Sequence, residues 1–248
     1  MIRIRTTSSR RWGAAACALA LSCSFAAQAR AADAEPQRAD APDALGSHQR
    51  NVRLDIGLRT QFLKGAGYDP FSGNDVLHHF STSASLAFWS HERLSLAGVA
   101  GFDYGMSSAR ARSSEASLDV RRFVLAPEAR YHVLRVLALT ARLGPTLTRE
   151  EATLSAGLDT ELSKTAWRFG LDATVGAAVE LWGYASGASR KPRLWASGEL
   201  GYGYTAPNQL NLKPRNESAA PQRAVPVDLG ELSVGGPLFR ITAGLSFW

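Results

Sequence analysis

The residues able to do chemistry recur at intervals of two. Arg53, Asp55, Arg59, Asp103, Arg122, Glu128, Arg130, Arg142, Arg168, Asp172, Glu180, Glu199 and Arg240 occupy the polar phase of runs that alternate between apolar and polar residues. That spacing puts charge on one face of an extended strand and hydrocarbon on the other. Bases and acids are nearly balanced, so mutual ion pairing is the expected chemistry. His79 and Ser81, two apart on one strand, point the same way, within reach of a hydroxyl-activation pair. No orienting acid is evident beside them, and lumen-lining polar residues are the plainer reading. His78, His79, His91 and His132 lack metal-ligand spacing, and there is no HExxH. Glu150, Glu151, Asp159 and Glu161 could hold a divalent ion or bridge lipopolysaccharide through one, although a solvated loop explains them more simply. Gly201-Tyr202-Gly203 has neither the lysine nor the following helix of a phosphate loop, and Asn216-Glu217-Ser218 reads as a chance sequon. No cofactor is implied.

The elements that position these side chains are strands. Val52, Leu54, Ile56, Leu58, Thr60 and Phe62 alternate with Arg53, Asp55, Gly57, Arg59 and Gln61. A helix would spread those charges around its circumference. The same period predicts strands over Phe80–Phe88, Leu94–Met106, Leu137–Leu143, Trp167–Leu181, Leu194–Tyr204 and Pro237–Trp248. A further strand, Leu118–Tyr131, changes phase: Leu118 and Val120 lie in one, Phe123, Leu125, Ala129 and Tyr131 in the other. A bulge at Arg121-Arg122 would reconcile them, and Pro127 offers the ladder no donor. Lys64–Val76, Ser107–Ser117, Arg149–Thr165 and Ala206–Gly236 read as long loops. Ser90–Arg93 and His132–Val136 read as short connections, and Gly183–Arg193 is a turn of intermediate length.

Positions 1–31 form a secretory signal peptide: Arg3, Arg5, Arg10 and Arg11 precede an apolar run, and Ala27-Gln28-Ala29 or Ala29-Arg30-Ala31 fits cleavage. The apolar run is shorter than the roughly 20 residues of a spanning helix. Cys23 after Ala20-Leu21-Ser22 is one place off a lipobox. Both cysteines, Cys17 and Cys23, fall inside the signal, so the mature chain has neither disulfides nor thiolate metal sites. Five of the 28 basic residues also lie there, leaving 23 against 22 acids. The high pI therefore gives no reason to expect nucleic acid. Residues 32–50, rich in Ala, Asp and Pro, read as a short disordered periplasmic lead-in. Residues 51–248 form the folded domain.

Eight strands with mostly long connections after odd-numbered strands and shorter ones after even-numbered strands suit a membrane barrel. A charged inner face cannot be the core of a soluble one, because unpaired buried charge costs several kcal/mol. Eight strands leave room only for side chains. The expectation is an all-β, eight-stranded antiparallel up-and-down transmembrane β-barrel with a filled lumen.

On strand count, alternation and the aromatic ending at Phe247 and Trp248, residues 51–248 resemble the small OmpA/OmpX-like outer-membrane barrels. The resemblance implies a bacterial outer-membrane location, periplasmic termini, outer-membrane lipid and lipopolysaccharide as surroundings, and the barrel-assembly machinery as partner during biogenesis. A monomer is expected. His79-Phe80-Ser81 is also similar to the His-x-Ser of outer-membrane lipid A deacylases. Trp89, Trp182, Trp195 and Trp248 fall at the strand ends nearest the shorter turns. They form an interfacial girdle, or, since alternation puts all four inward, Trp182, Trp195 and Trp248 from three consecutive strands stack into a stopper at the periplasmic mouth. The expected function is non-enzymatic: a structural or surface-binding barrel acting through its extracellular loops. A deacylase-like enzyme and a narrow ion-conducting pore are the alternatives.

Overall fold

The computed structural model describes residues 52–63, 67–111, 114–156, 160–182, 192–214 and 226–247. The signal-peptide and lead-in assignments, Asp159, Trp248 and most of the turn after Trp182 lie outside the described residues. Ten strands follow in order: β1 Val52–Phe62, β2 Val76–His91, β3 Leu94–Ala111, β4 Ser114–Leu134, β5 Leu137–Ala156, β6 Thr160–Trp182, β7 Arg193–Thr205, β8 Asn208–Pro214, β9 Val227–Leu232 and β10 Gly236–Phe247. All pair antiparallel with their neighbours. β1 to β7 and β10 close into a ring of eight, β1 pairing with β10 and β5 with β6. Closure leaves no edge in this ring, so every strand finds its hydrogen bonds on both sides.

The alternation read from the sequence is the alternation of burial. Along β1, Arg53, Asp55, Arg59 and Gln61 are buried while Leu54, Ile56 and Leu58 are exposed. The exposed apolar side chains form a belt around the ring: Leu58 is 63% exposed, Leu125 65%, Phe169 76% and Val175 63%. Exposed apolar surface on this scale, over buried charge, is stable only where the surroundings are hydrocarbon. The fold is an eight-stranded transmembrane β-barrel.

The strands run well past this belt. Three segments read as polar loops contain ladder instead. β3 and β4 pair without interruption up to Ala111 and Ser114, and β5 and β6 up to Ala156 and Thr160. The Ala206–Gly236 connection contains the hairpin β8–β9, whose β8 also pairs with β6. A polar, low-hydropathy sequence there signals exposure on the outer face, not absence of a strand.

β4 has no bulge at Arg121-Arg122; its pairing with β3 runs in register from Leu94↔Tyr131 to Ala111↔Ser114. Leu118 and Val120 are inward and fully buried, in the same phase as Arg122. The apparent slip is a change of surroundings, not of register. Beyond the belt the outside is water, so apolar residues turn in. Pro127 is accommodated opposite Gly98 on β3, while the β4–β5 ladder breaks between Val124↔Thr146 and Glu128↔Arg142, where Pro127 and Pro145 lack donors.

Candidate functional site: the lumen and the outer rim

The inward face of the belt region holds two charge clusters joined by one arginine. In the upper cluster Arg59 donates to Asp103 at 3.0 Å and to both carboxylate oxygens of Asp172. Arg122 donates to Asp172 at 3.0 Å, to Thr205 Oγ1 at 2.8 Å and to the Val234 carbonyl at 2.7 Å. In the lower cluster Glu128 accepts from Arg130 and Arg142, and Arg142 lies 3.4 Å from Glu199. Arg240 bridges the two, reaching Asp103 and Glu199 at 3.4 Å each. Towards the short-turn end Arg53 pairs with Asp55 at 2.6 Å, and Arg193 lies 3.6 Å from Glu180. Towards the other end Arg168 donates to Asn208, which donates to Glu150 at 3.4 Å.

Charges stacked this way in the lumen hold only as a network: Arg59, Arg142 and Arg240 each reach two carboxylates, and Asp103, Asp172, Glu128 and Glu199 each serve two guanidinium groups. Neutral partners complete it: Ser85 accepts from Arg130 at 2.6 Å, Thr174 donates to Glu199 at 3.1 Å, and Ser197 accepts from Arg53 at 3.1 Å. Gly203 contributes by lacking a side chain. A Cβ there would lie 2.7 Å from Asp172 Oδ1 and 2.9 Å from Arg59 Nη2. Gln61, Ser85, Thr174, Ser197, Thr205 and Gly203 carry no signal as chemistry-bearing residues. Their only mark in the sequence is membership of the same polar phase as the charges.

His79 is buried and neither ring nitrogen has a partner, while Ser81 donates its hydroxyl proton to Asp103 at 2.6 Å. The serine is thus committed to a carboxylate inside the ion-pair network, on the lumen side and away from lipid. The arrangement is not a hydroxyl-activation pair. Glu150 and Glu151 point to opposite faces of β5, Glu150 buried and Glu151 at 3.1 Å from Arg149, so they do not share an ion site. Among the described residues no cluster of three or more His, Cys, Asp or Glu could hold a metal.

The tryptophans divide. Trp195 is inward and buried, its indole donating to Ser246 at 2.9 Å with the Arg53 guanidinium 5.7 Å from its ring. Trp89 and Trp182 are outward, 44% and 61% exposed. The pairing shifts between Ala87 and Trp89, and between Glu180 and Trp182, in each case by one extra residue. These bulges turn two inward-phase tryptophans out. Trp182, facing out, therefore takes no part in a stopper with Trp195, and Trp89 and Trp182 lie where an interfacial girdle would place them. A cavity of about 30 Å³ remains near Trp195, lined by residues including Arg130 and His132.

Above the charge clusters the lumen is apolar. Leu63, Tyr68, Phe71, Leu77, Leu118, Val120, Leu162, Leu210, Leu212, Leu232 and Val234 form a buried core. The hairpin β8–β9 supplies three of these leucines and folds its apolar face over the mouth. Tyr68 and Phe71, from the β1–β2 connection, fill the other side; the Tyr68 hydroxyl donates to the Val76 carbonyl at 3.1 Å.

No protein-family model matches the chain, and no curated relative matches it. Among solved structures, it is similar to Ail, the attachment invasion locus protein of Yersinia pestis, solved in complex with the heparin analogue sucrose octasulfate (12% identity, 80% of this chain and 99% of that one, TM-score 0.44). It is also similar to the outer membrane protease OmpT of Escherichia coli (7%, 81% and 97%, TM-score 0.45) and to Neisserial surface protein A (12%, 80% and 96%, TM-score 0.34).

Proposed function

We propose that this chain is a non-conducting, non-enzymatic barrel of the bacterial outer membrane that carries a rigid outward head as a binding or shielding surface. The observation that carries the reading is the double seal. The ion-pair network fills the belt region, and the β8–β9 hairpin packs Leu210, Leu212 and Leu232 into the mouth above it. Long ladders beyond the belt give the head a fixed shape, whereas a pore would need an open axis. In this reading the end with the short turns at Glu92-Arg93 and Arg135-Val136, where Val52 and Phe247 also lie, is the periplasmic one, since outer-membrane barrels keep their short turns there.

The test is planar-bilayer recording on the full-length refolded protein. The expected trace has no stepwise conductance at any voltage the bilayer tolerates; discrete open levels would sink the reading. Lipid A extracted from cells carrying His79→Ala is expected to match that from wild-type cells. A change in acylation would restore the enzyme alternative.

A further inference from the structure

Just above the apolar belt, four neighbouring strands bring one row of side chains to the outer surface. Tyr104 on β3 faces Arg121 on β4, Arg121 faces Arg149 on β5, and Arg149 faces Trp167 on β6. The row beneath is wholly apolar: Phe102, Phe123, Leu147 and Phe169 in the same cross-strand order. Phe123 lies 5.1 Å from Phe102 and stacks on Trp167 at 6.4 Å, so the upper edge of the belt is a continuous aromatic shelf. The row above is acidic at its centre, with Asp119 opposite Glu151.

Two arginines directly opposite each other on an exposed face are destabilising unless something offsets them. Arg149 has Glu151 at 3.1 Å. Asp119, two residues from Arg121 on the same face, instead accepts from the Tyr104 hydroxyl at 3.3 Å. Among the described residues Arg121 has no ion-pair or hydrogen-bond partner. It is exposed and shares its row with Tyr104 and Trp167, the residue types that gather at membrane–water interfaces. Guanidinium pairs bind phosphate oxygens bidentately, while the acids above would repel an anion placed any higher.

The surface below Arg121 suits the rest of such a ligand. The outward face of β4 continues through Phe123 and Leu125 to Pro127. There it enters an open groove of about 590 Å³ whose lining includes Leu86, Phe88, Gly98 and Ala100. Gly98 leaves the groove without a side chain in its floor: a Cβ built on it would meet nothing within 4 Å. From Arg121 to Leu125 is about 13 Å along a strand at about 3.3 Å per residue, within the reach of an acyl chain.

We propose that Arg121 and Arg149 bind the phosphate of a phosphorylated glycolipid of the lipid A class. Its sugar rests on Tyr104 and Trp167, and an acyl chain runs down β4 over Phe123 and Leu125 into the groove. The site rests on the outer-membrane reading above, but not on the sealed lumen. Its test is separate from the conductance test.

The experiment is native mass spectrometry of the full-length protein, folded in detergent micelles and titrated with diphosphoryl lipid A. Folding of each variant is checked first by heat-modifiable gel mobility. Wild type is expected to retain the lipid about ten-fold more tightly than Arg121→Gln, and Arg149→Gln is expected to lose a similar factor. Should one of these variants fail to fold, the other decides. Arg110→Gln, whose guanidinium is held by Glu115 at 2.9 Å, is expected to bind as wild type does. Fully dephosphorylated lipid A is expected to bind wild type and Arg121→Gln alike. Undiminished binding by both Arg121→Gln and Arg149→Gln, or tight binding of the dephosphorylated lipid by wild type, overturns the proposal. So does equal affinity for phosphatidylglycerol, which would make this a general anionic-lipid surface. Displacement by millimolar inorganic phosphate overturns it too, since the site would then hold a free anion.

Discussion

Leu118 and Leu125 lie on the same strand and face opposite ways. Leu118 is fully buried inside the ring, and Leu125 is 65% exposed outside it. The register between them is unbroken. The level of Arg122 divides the two regions. Below it the barrel is inside out, with ion pairs within and leucines without. Above it the barrel has the polarity of a soluble protein, with leucines within and Asp119, Glu151 and Thr165 without. The same backbone geometry serves both, so the difference lies in the solvent each region displaces. Hydrocarbon solvates Leu125 at no cost, whereas water drives Leu118 inward with roughly 1.5–3 kcal/mol per fully buried side chain. A strand through two media keeps its pleat and exchanges which face carries the hydrophobic residues.

The largest test of this division is to break the lower region from within. Asp172→Ala strips Arg59 and Arg122 of a shared carboxylate and leaves buried charge uncompensated. A loss of about 3–5 kcal/mol is expected in urea titrations from lipid vesicles. A loss below about 1 kcal/mol would mean that water already solvates the lumen. The boundary itself is sharpened by a pair of outward substitutions. Leu125→Arg puts a charge into the belt and is expected to cost about 2–4 kcal/mol. Met106→Arg, on an equally exposed apolar side chain one row above Tyr104, is expected to stay within about 0.5 kcal/mol. Equal costs at the two positions would erase the division. A local effect probes the hairpin of the upper region. Gly230, in β9, has φ of 87°, and a Cβ there meets no neighbour. Gly230→Ala is therefore expected to cost only the backbone term, about 1–2 kcal/mol, read as faster limited proteolysis of the β8–β9 hairpin with the ring intact. Unchanged cleavage would show that the hairpin does not depend on that conformation.

Much of the ring was legible because period two is imposed by the backbone and polarity by the surroundings. Wherever a strand crosses hydrocarbon, the two signals coincide, as at Val52–Phe62. The signal fails where the surroundings change. Segments such as Arg149–Thr165 are polar outside and short of apolar residues inside, so they read as loops although β5 and β6 pair through them to Ala156 and Thr160. Arg121-Arg122 looked like a slip because a continuous strand crosses the boundary there. Alternation alone leaves the facing of Trp89 and Trp182 open between girdle and lumen, because a single extra residue in a ladder leaves no mark in local composition. The Arg121–Arg149 pair was not legible either. Each arginine is ordinary in its own strand, and only the β4–β5 register sets them opposite each other.

Across the belt the sequence by itself determined eight strands, the alternation of their faces and the charged character of the inner face, because these follow from nearest-neighbour alternation. Only the tertiary structure decided which charge meets which. Arg59 meets Asp172 across the ring, and Arg240 joins the upper cluster to the lower, through pairings set by closure of β1 on β10. It also decided that Ser81 serves Asp103 instead of His79, and that Leu210, Leu212 and Leu232 of the β8–β9 hairpin join the buried core with Leu118 and Val120. These are contacts between residues far apart in the chain. No local pattern encodes them, because the register of each ladder and the curvature of the closed ring fix the distances.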